Sequence, residues 1–372
     1  MRVLLTSPWI PAEWVRAHGL EARGIWFVDG FRQSTPPLTA GLCAFAESVV
    51  QFAATQPDDA VVFATACDQL RRGFDAARFH GASHAFLFNL PATQTPAARQ
   101  MYRAELERLG RFLLKLGGSP ATPEKLRREM VQSETTRRQL LEAAPLAAAR
   151  SFAEAVARFH ANGAFSEPAI FQTNSEIRIS ASTGGSLLAD STPPETHSGL
   201  RTSDFFRPSG FRTSDFPPVS LALVGGPLSL ADWNLFDAIE TAGGRVVLNA
   251  TLTGERSLSP EWDGLDELFE ALVTGYFDNL VDVFQRPNTR LYSWLKPRLL
   301  SRQARGIVLW HFTGCDLWRA EFQTLRDAFA LPVLWLEADA AAGLSPRDIG
   351  RLAAFLETLQ CTPHDRALHP SH

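Results

Sequence analysis

Twice in this chain an unbroken apolar run ends in a Cys-Asp pair and passes directly into an amphipathic, arginine-bearing stretch. Val61-Val62-Phe63-Ala64 leads to Cys67-Asp68 and then to Gln69 through Phe79; Gly306-Ile307-Val308-Leu309-Trp310 leads to Cys315-Asp316 and then to Trp318 through Phe329. A short run that is apolar at every position reads as a strand buried on both faces, and such strands belong to parallel sheets covered by helices. In an open parallel sheet, ligands collect beyond the carboxyl ends of the strands, where helix N-termini favour negative charge. A third cysteine, Cys43 in Gly41-Leu42-Cys43-Ala44-Phe45, stands at another helix start. Thiolates at three such positions point to a metal site or to an anionic iron–sulfur cluster.

The rest of the chain repeats the strand–helix alternation. In the first half the pattern gives strands near 61–64 and 85–90 and helices near 41–56, 97–116 and 122–162. In the second it gives strands near 220–224, 245–248, 307–310 and 333–336, with helical stretches at 230–242 and 265–284. Such alternation favours mostly parallel sheets. With 372 residues and 45% hydrophobic content the chain can build about two domains. The reading is therefore α/β: two Rossmann-like or flavodoxin-like domains, 1–163 and 218–360, sharing a cleft to which each contributes strand-end residues.

Between them, residues 164–217 are rich in Ser, Thr, Gly and Pro and contain two similar octads, Ser198-Gly199-Leu200-Arg201-Thr202-Ser203-Asp204-Phe205 and Ser209-Gly210-Phe211-Arg212-Thr213-Ser214-Asp215-Phe216. Two such units cannot bury a continuous core, so the stretch reads as a flexible insert, with a partner-binding segment as the alternative. The tail, 361–372, carries His364, His369 and His372 and reads as disordered.

Charge and composition exclude several classes. A net charge of −4 comes with no basic stripe for phosphates, which argues against nucleic acid as a partner. None of the three lysines, Lys115, Lys125 and Lys296, follows a Gly-x-x-x-x-Gly, so ATP hydrolysis would have to come from another protein. Four cysteines are too few for a disulfide framework in a chain this long, and Val3-Leu4-Leu5 reads as a strand rather than a signal core, which favours the cytoplasm. No apolar run approaches the roughly 18 residues a membrane helix needs.

Other polar residues have plain readings beside functional ones. Asp68 and Asp316 read as helix N-caps rather than acid/base groups. His311 reads as a satisfied core histidine, with a hydrogen bond to a cluster sulfur or a substrate as the alternative. His80 and His84 have metal-ligand spacing on a helix, but Gly81 interrupts it and they read as loop residues. Gly225-Gly226-Pro227 lacks the three-glycine dinucleotide fingerprint and reads as an ordinary strand–helix turn. Glu13 can be a surface residue or a functional acid. Cys361, beyond the last helical pattern and far from any Cys-Asp pair, is not expected to be a ligand. By themselves Cys43, Cys67 and Cys315 also admit a reading as small buried hydrophobes.

A set of ordered short matches bears on that choice. Ser7-Pro8-Trp9-Ile10-Pro11-Ala12-Glu13-Trp14 with Ala17-His18-Gly19-Leu20, then Thr39-Ala40-Gly41-Leu42-Cys43, Ala66-Cys67-Asp68-Gln69-Leu70-Arg71-Arg72, Asn89-Leu90-Pro91 and Thr313-Gly314-Cys315-Asp316 fall in the order seen in one family. The sequence resembles the 2-hydroxyacyl-CoA dehydratases, a family that includes the ATP-dependent benzoyl-CoA reductase subunits. The resemblance implies a 4Fe–4S cluster between two α/β domains with Cys43, Cys67 and Cys315 as ligands; Cys43-Ala44 departs from the Cys-Pro frequent at the first ligand. It further implies an acyl-CoA substrate, a second subunit of the same family and a separate ATP-dependent iron–sulfur activator. The chemistry implied is the radical, reductive elimination of water from a 2-hydroxyacyl thioester, one electron entering and being recovered. The alternatives are a non-catalytic electron-transfer subunit of a related acyl-CoA reductase and a cluster-free α/β binding module. The matches assign no catalytic residue.

Overall fold

The computed structural model describes residues 1–27, 41–162, 217–258, 262, 267–338 and 344–361. The octads of 198–216, the three tail histidines and nearly all of the proposed insert lie outside them. The first half builds a four-stranded sheet in the order β2-β1-β3-β4, from β1 (Arg2–Leu5), β2 (Glu21–Gly24), β3 (Ala60–Ala64) and β4 (Ala85–Phe88). The second half builds β6-β5-β7-β8 from β5 (Val219–Gly225), β6 (Gly244–Ala250), β7 (Gly306–Phe312) and β8 (Val333–Ala338). All pairings are parallel and the two orders are the same, so β3 and β7, which precede Cys67 and Cys315, hold equivalent places.

The continuous apolar runs have a direct cause. Alternate side chains of a strand leave opposite faces. Val3, Leu5 and Val62 of the first sheet and Leu221, Leu223, Val308 and Trp310 of the second enter one hydrophobic cluster shared by both domains. Their neighbours face outward: Leu4, Val61 and Phe63 pack under α2 (Ala44–Ala54) and α3 (Asp68–Phe79), whereas Ala222, Ile307 and Leu309 pack under α9 (Thr289–Ser301) and α10 (Asp316–Phe329). With both faces covered, the runs 61–64 and 306–310 are apolar throughout.

Several elements differ from the sequence expectation. The expected helix over 122–162 is two helices, α5 (Pro123–Ala143) and α6 (Ala149–Asn162), separated around Pro145, whose ring cannot continue a helix. The helix over 265–284 ends early: α8 (Leu268–Val273) runs into a five-residue π turn and then irregular chain. Strand β2 and helices α9 and α11 (Pro346–Cys361) were not expected; β2, Glu-Ala-Arg-Gly, is a short edge strand with two charges, and α9 contains Pro297. The remaining helices are α1 (Ala12–Ala17), α4 (Pro96–Lys115) and α7 (Asn234–Thr241). No helix among the described residues is long and apolar enough to cross a membrane.

A polar seam joins the domains. Helix α6 packs against the edge strands of both sheets, β2 and β6. Beside it Glu13 of α1, 0% exposed, accepts hydrogen bonds from Arg137 of α5 and from Tyr276 Oη of the second domain, the latter at 2.6 Å. Burial acts to raise the Glu13 pKa, but Arg137, then Arg16 and the Tyr276 hydroxyl outweigh it and bring the carboxyl down to about 2. Arg99 of α4 makes a second clasp, reaching Glu270 at 2.8 Å and Asp278 at 2.9 Å.

His160, at the end of α6, packs against Trp26 and hydrogen-bonds Ser257 Oγ at 2.9 Å. Burial, reinforced by the charge of Arg137, brings its pKa down to about 3. The unfolded chain therefore takes up a proton below pH 6.5 that the folded chain refuses, so stability is complete above that pH and drains away as the pH falls towards 3. Between pH 6.5 and 4.5 the unfolding free energy should drop by on the order of 1–2 kcal/mol, discounted because part of the residue remains open to solvent. Urea titrations at pH 6.5, 5.5 and 4.5 measure it, and His160→Gln should flatten that limb; an unchanged slope in the variant would reject the assignment.

Candidate functional site

In a sheet ordered 2-1-3-4 the chain leaves the first strand to one side and returns to build on the other, so the loops after the first and third strands part and leave a crevice. Here both sheets turn such crevices toward one another. Thr6 and Ser7 after β1, Ala66 and Cys67 after β3, Gly226 and Pro227 after β5, and Gly314 and Cys315 after β7 all line one cavity of about 360 Å³. Cys43 lines it as well.

Each thiol is fixed at the start of a helix. Cys43, Cys67 and Cys315 are the N-cap residues of α2, α3 and α10. Cys67 Sγ accepts the Leu70 N–H at 3.4 Å, taking the capping role usually filled by Ser or Asp. Asp68 and Asp316 consequently occupy the first helical position, not the N-cap, and both are exposed, with Asp68 paired to Arg71 at 3.5 Å. The Cys43 loop is tied to α3: the Cys43 N–H donates to Gln69 Oε1 at 3.0 Å, and Arg72 donates to the Gly41 carbonyl at 3.3 Å. From the other domain Gly314, at φ +83°, lies beside the Cys43 loop, where a Cβ would make an ordinary 3.8 Å contact with Cys43 Cβ. The glycine is required by the left-handed backbone of this turn, not by lack of space for a side chain.

The walls are largely apolar, with aromatic rings from the two domains meeting in them. Phe45 stacks on Phe312 with centroids 6.2 Å apart, and Trp9 meets Phe284 edge-on at 5.1 Å. Arg256 supports the second-domain side. Its guanidinium donates to the carbonyls of Gly225 and Ala250 at 2.6 and 3.0 Å, pairs with Asp282 and lies over the Trp318 ring. The Gly226 N–H is taken by the Trp310 carbonyl at 3.0 Å, so this turn does not present a free amide to phosphate and behaves as the plain strand–helix turn the sequence suggests.

All three thiols are held in the neutral form. Burial pushes Cys67 up to about 11 and Cys315 up to about 12, with neighbouring thiols and Asp282 adding to it; burial also raises Cys43. Among the described residues no group of three His, Cys, Asp or Glu side chains converges closely enough to hold one metal ion. The thiols therefore surround a shared space without sharing a point.

The remaining candidates fall elsewhere. His311 is a core histidine, fully buried in β7 with Nδ1 against the Phe312 carbonyl at 3.0 Å and its ring against Trp335, but it is not the fully satisfied one expected, since its Nε2 has no hydrogen-bond partner among the described residues. His80 caps the C-terminus of α3 and His84 lies in the loop before β4. Cys361 is the last residue of α11, exposed and outside the cavity. Glu13 is neither a surface residue nor in the cavity; it belongs to the buried seam. Arg256 and Asp282 were not singled out in the sequence, because a short turn and an irregular loop carry them and neither leaves a periodic signal.

The family model described as 2-hydroxyglutaryl-CoA dehydratase, D-component, matches residues 10–169 and 212–359. The chain belongs to that family. The match covers the second sheet, the first sheet apart from β1, and all three cavity cysteines, and breaks over 170–211, within the Ser/Thr/Gly/Pro-rich stretch. No curated protein matches the chain. Membership makes it a 2-hydroxyacyl-CoA dehydratase-like subunit, one component of an enzyme that has others.

Proposed function

We propose that this chain is the cluster-carrying subunit of a cytoplasmic 2-hydroxyacyl-CoA dehydratase-like enzyme, with Cys43, Cys67 and Cys315 as ligands of a 4Fe–4S cluster and an acyl-CoA thioester as substrate. The observation that carries the reading is the presence of three thiols from three helix starts in one cavity between two parallel sheets. Ligands of a single zinc ion must converge, whereas each thiolate of a cluster meets its own iron, which suits thiols spread around a space large enough for a group bigger than an ion. Three helix N-termini favour the negative charge of such a group. Bound there, it would supply one low-potential electron to the thioester.

The chain's own residues would do the rest. Buried thiols stay protonated until metal arrives, so ligation and proton release occur together. Gln69 and Arg72 fix the Cys43 loop against the helix that Cys67 caps. Phe45, Phe312, Trp9 and Phe284 keep water from the space where a reduced intermediate would be exposed to it. The chain has no Walker-type loop, so the electron is assigned to a separate ATP-dependent iron–sulfur activator and the working enzyme to a pair with a second subunit of the family.

Anaerobic purification tests this. About four irons and four acid-labile sulfides per chain are expected, with broad visible absorbance that bleaches in air. A chain that stays colourless and iron-free after anaerobic reconstitution with iron and sulfide would sink the proposal.

A further inference from the structure

The cavity also carries information about the acyl group. Its walls are mostly hydrocarbon, with Trp9, Phe45, Leu252, Val283, Phe284 and Leu317 among them. The charged side chains among the described lining residues are three aspartates, Asp68, Asp282 and Asp316, and two arginines, Arg71 and Arg256. Each arginine already faces a carboxylate of the chain. Arg256 is already surrounded by the carbonyls of Gly225, Ala250 and Val281 and by Asp282, and its flat face is covered by Trp318. Arg71 stands at the rim, its side chain 62% exposed and paired with Asp68. Among the described lining residues each arginine is matched by an aspartate and Asp316 is the charge left over, so a second carboxylate on the substrate would meet no lining cation free of a carboxylate, and a buried anion without a charged partner is disfavoured. A hydrocarbon end would instead exchange water for aromatic and aliphatic wall.

We propose that the acyl group taken by this cavity ends in hydrocarbon, branched aliphatic or aryl, and is not a dicarboxylate such as the 2-hydroxyglutaryl group in the family's description. The inference rests on the acyl-CoA reading above and adds specificity to it.

The experiment compares two ligands of one shape. 2-Hydroxy-5-methylhexanoyl-CoA carries an isopropyl group where 2-hydroxyglutaryl-CoA carries its free carboxylate, and free CoA measures what the nucleotide end contributes to both. Each is titrated into the anaerobically purified full chain, with binding read from tryptophan fluorescence, since Trp9 and Trp318 lie in the wall. The methylhexanoyl thioester should bind at least tenfold more tightly than the glutaryl thioester. A ratio below tenfold, or a preference for the glutaryl thioester, overturns the inference and leaves the acyl-CoA reading standing. If neither thioester binds more tightly than free CoA, the acyl-CoA reading itself fails and the inference falls with it.

Discussion

Serine in place of Cys43, Cys67 or Cys315 should abolish or distort the proposed iron site while the fold survives, and serine in place of Cys361 should change neither. The expected fall in bound iron is about tenfold or more at each of the first three positions, because a neutral hydroxyl replaces a sulfur that forms a strong bond to iron as its thiolate. Retention of the fold follows from where the cysteines sit. All three are N-cap residues, and serine is among the best N-caps, so the substitution at Cys67 still offers an oxygen to the Leu70 N–H. Loss of iron can therefore be separated from loss of structure by measuring iron content and far-ultraviolet circular dichroism on the same sample. Equal iron in all four variants would reject the ligand assignment. Unfolding of the Cys67→Ser chain would show that the sulfur is needed for packing in a way its capping role does not explain.

Much of this architecture could be read from the chain, for an identifiable reason. Strands β3, β5, β7 and β8 are covered on one or both faces, so burial writes an unbroken or alternating apolar run at each. The Cys-Asp pairs close two of those runs at equivalent places in two sheets of the same order, and a parallel sheet dictates that its loops meet at one end. Elements shaped by neighbours were less legible. Strand β2 has one neighbour and tolerates Glu21 and Arg23; α9 accepts Pro297 while Leu291, Leu295 and Leu299 keep one buried stripe. The supports of the cavity were missed for a related reason. Arg256 and Asp282 meet across 26 positions, and what makes them a pair is a fold that no local pattern encodes. Asp68 and Asp316 were assigned the cap by the usual residue preference, yet the cysteine before each one holds that position. Glu13 shows the limit most clearly, since its partners, Arg137 and Tyr276, lie 124 and 263 positions away.

That glutamate leads to the second large effect. Replacing Arg137 by methionine should destabilise the chain by about 3–5 kcal/mol, the cost typical of leaving a buried charge without its partner. Glu13 is 0% exposed and Arg137 3% exposed, so water cannot take over from the lost guanidinium. The Tyr276 hydroxyl would remain as hydrogen-bond donor and the charge of Arg16 would still act more weakly, but neither replaces the lost guanidinium. Arg137 also lies within 5.5 to 5.7 Å of the rings of Phe159, Trp262 and Tyr276, contacts that a methionine of similar length retains in part, which confines most of the effect to charge. The double variant, Glu13→Gln with Arg137→Met, removes the stranded charge and should recover at least half of the loss. Urea unfolding of the wild type, both single variants and the double variant yields the coupling directly. A cost below about 1 kcal/mol for Arg137→Met, or a double variant no more stable than Arg137→Met alone, would mean that the seam does not depend on this pair. If the pair behaves as expected, its effect should extend beyond the seam: Glu13 anchors α1, and the segment leading into that helix supplies Ser7 and Trp9 to the cavity. Releasing the anchor should then loosen the first-domain wall, and Arg137→Met should lose bound iron faster than the wild type when a chelator is added.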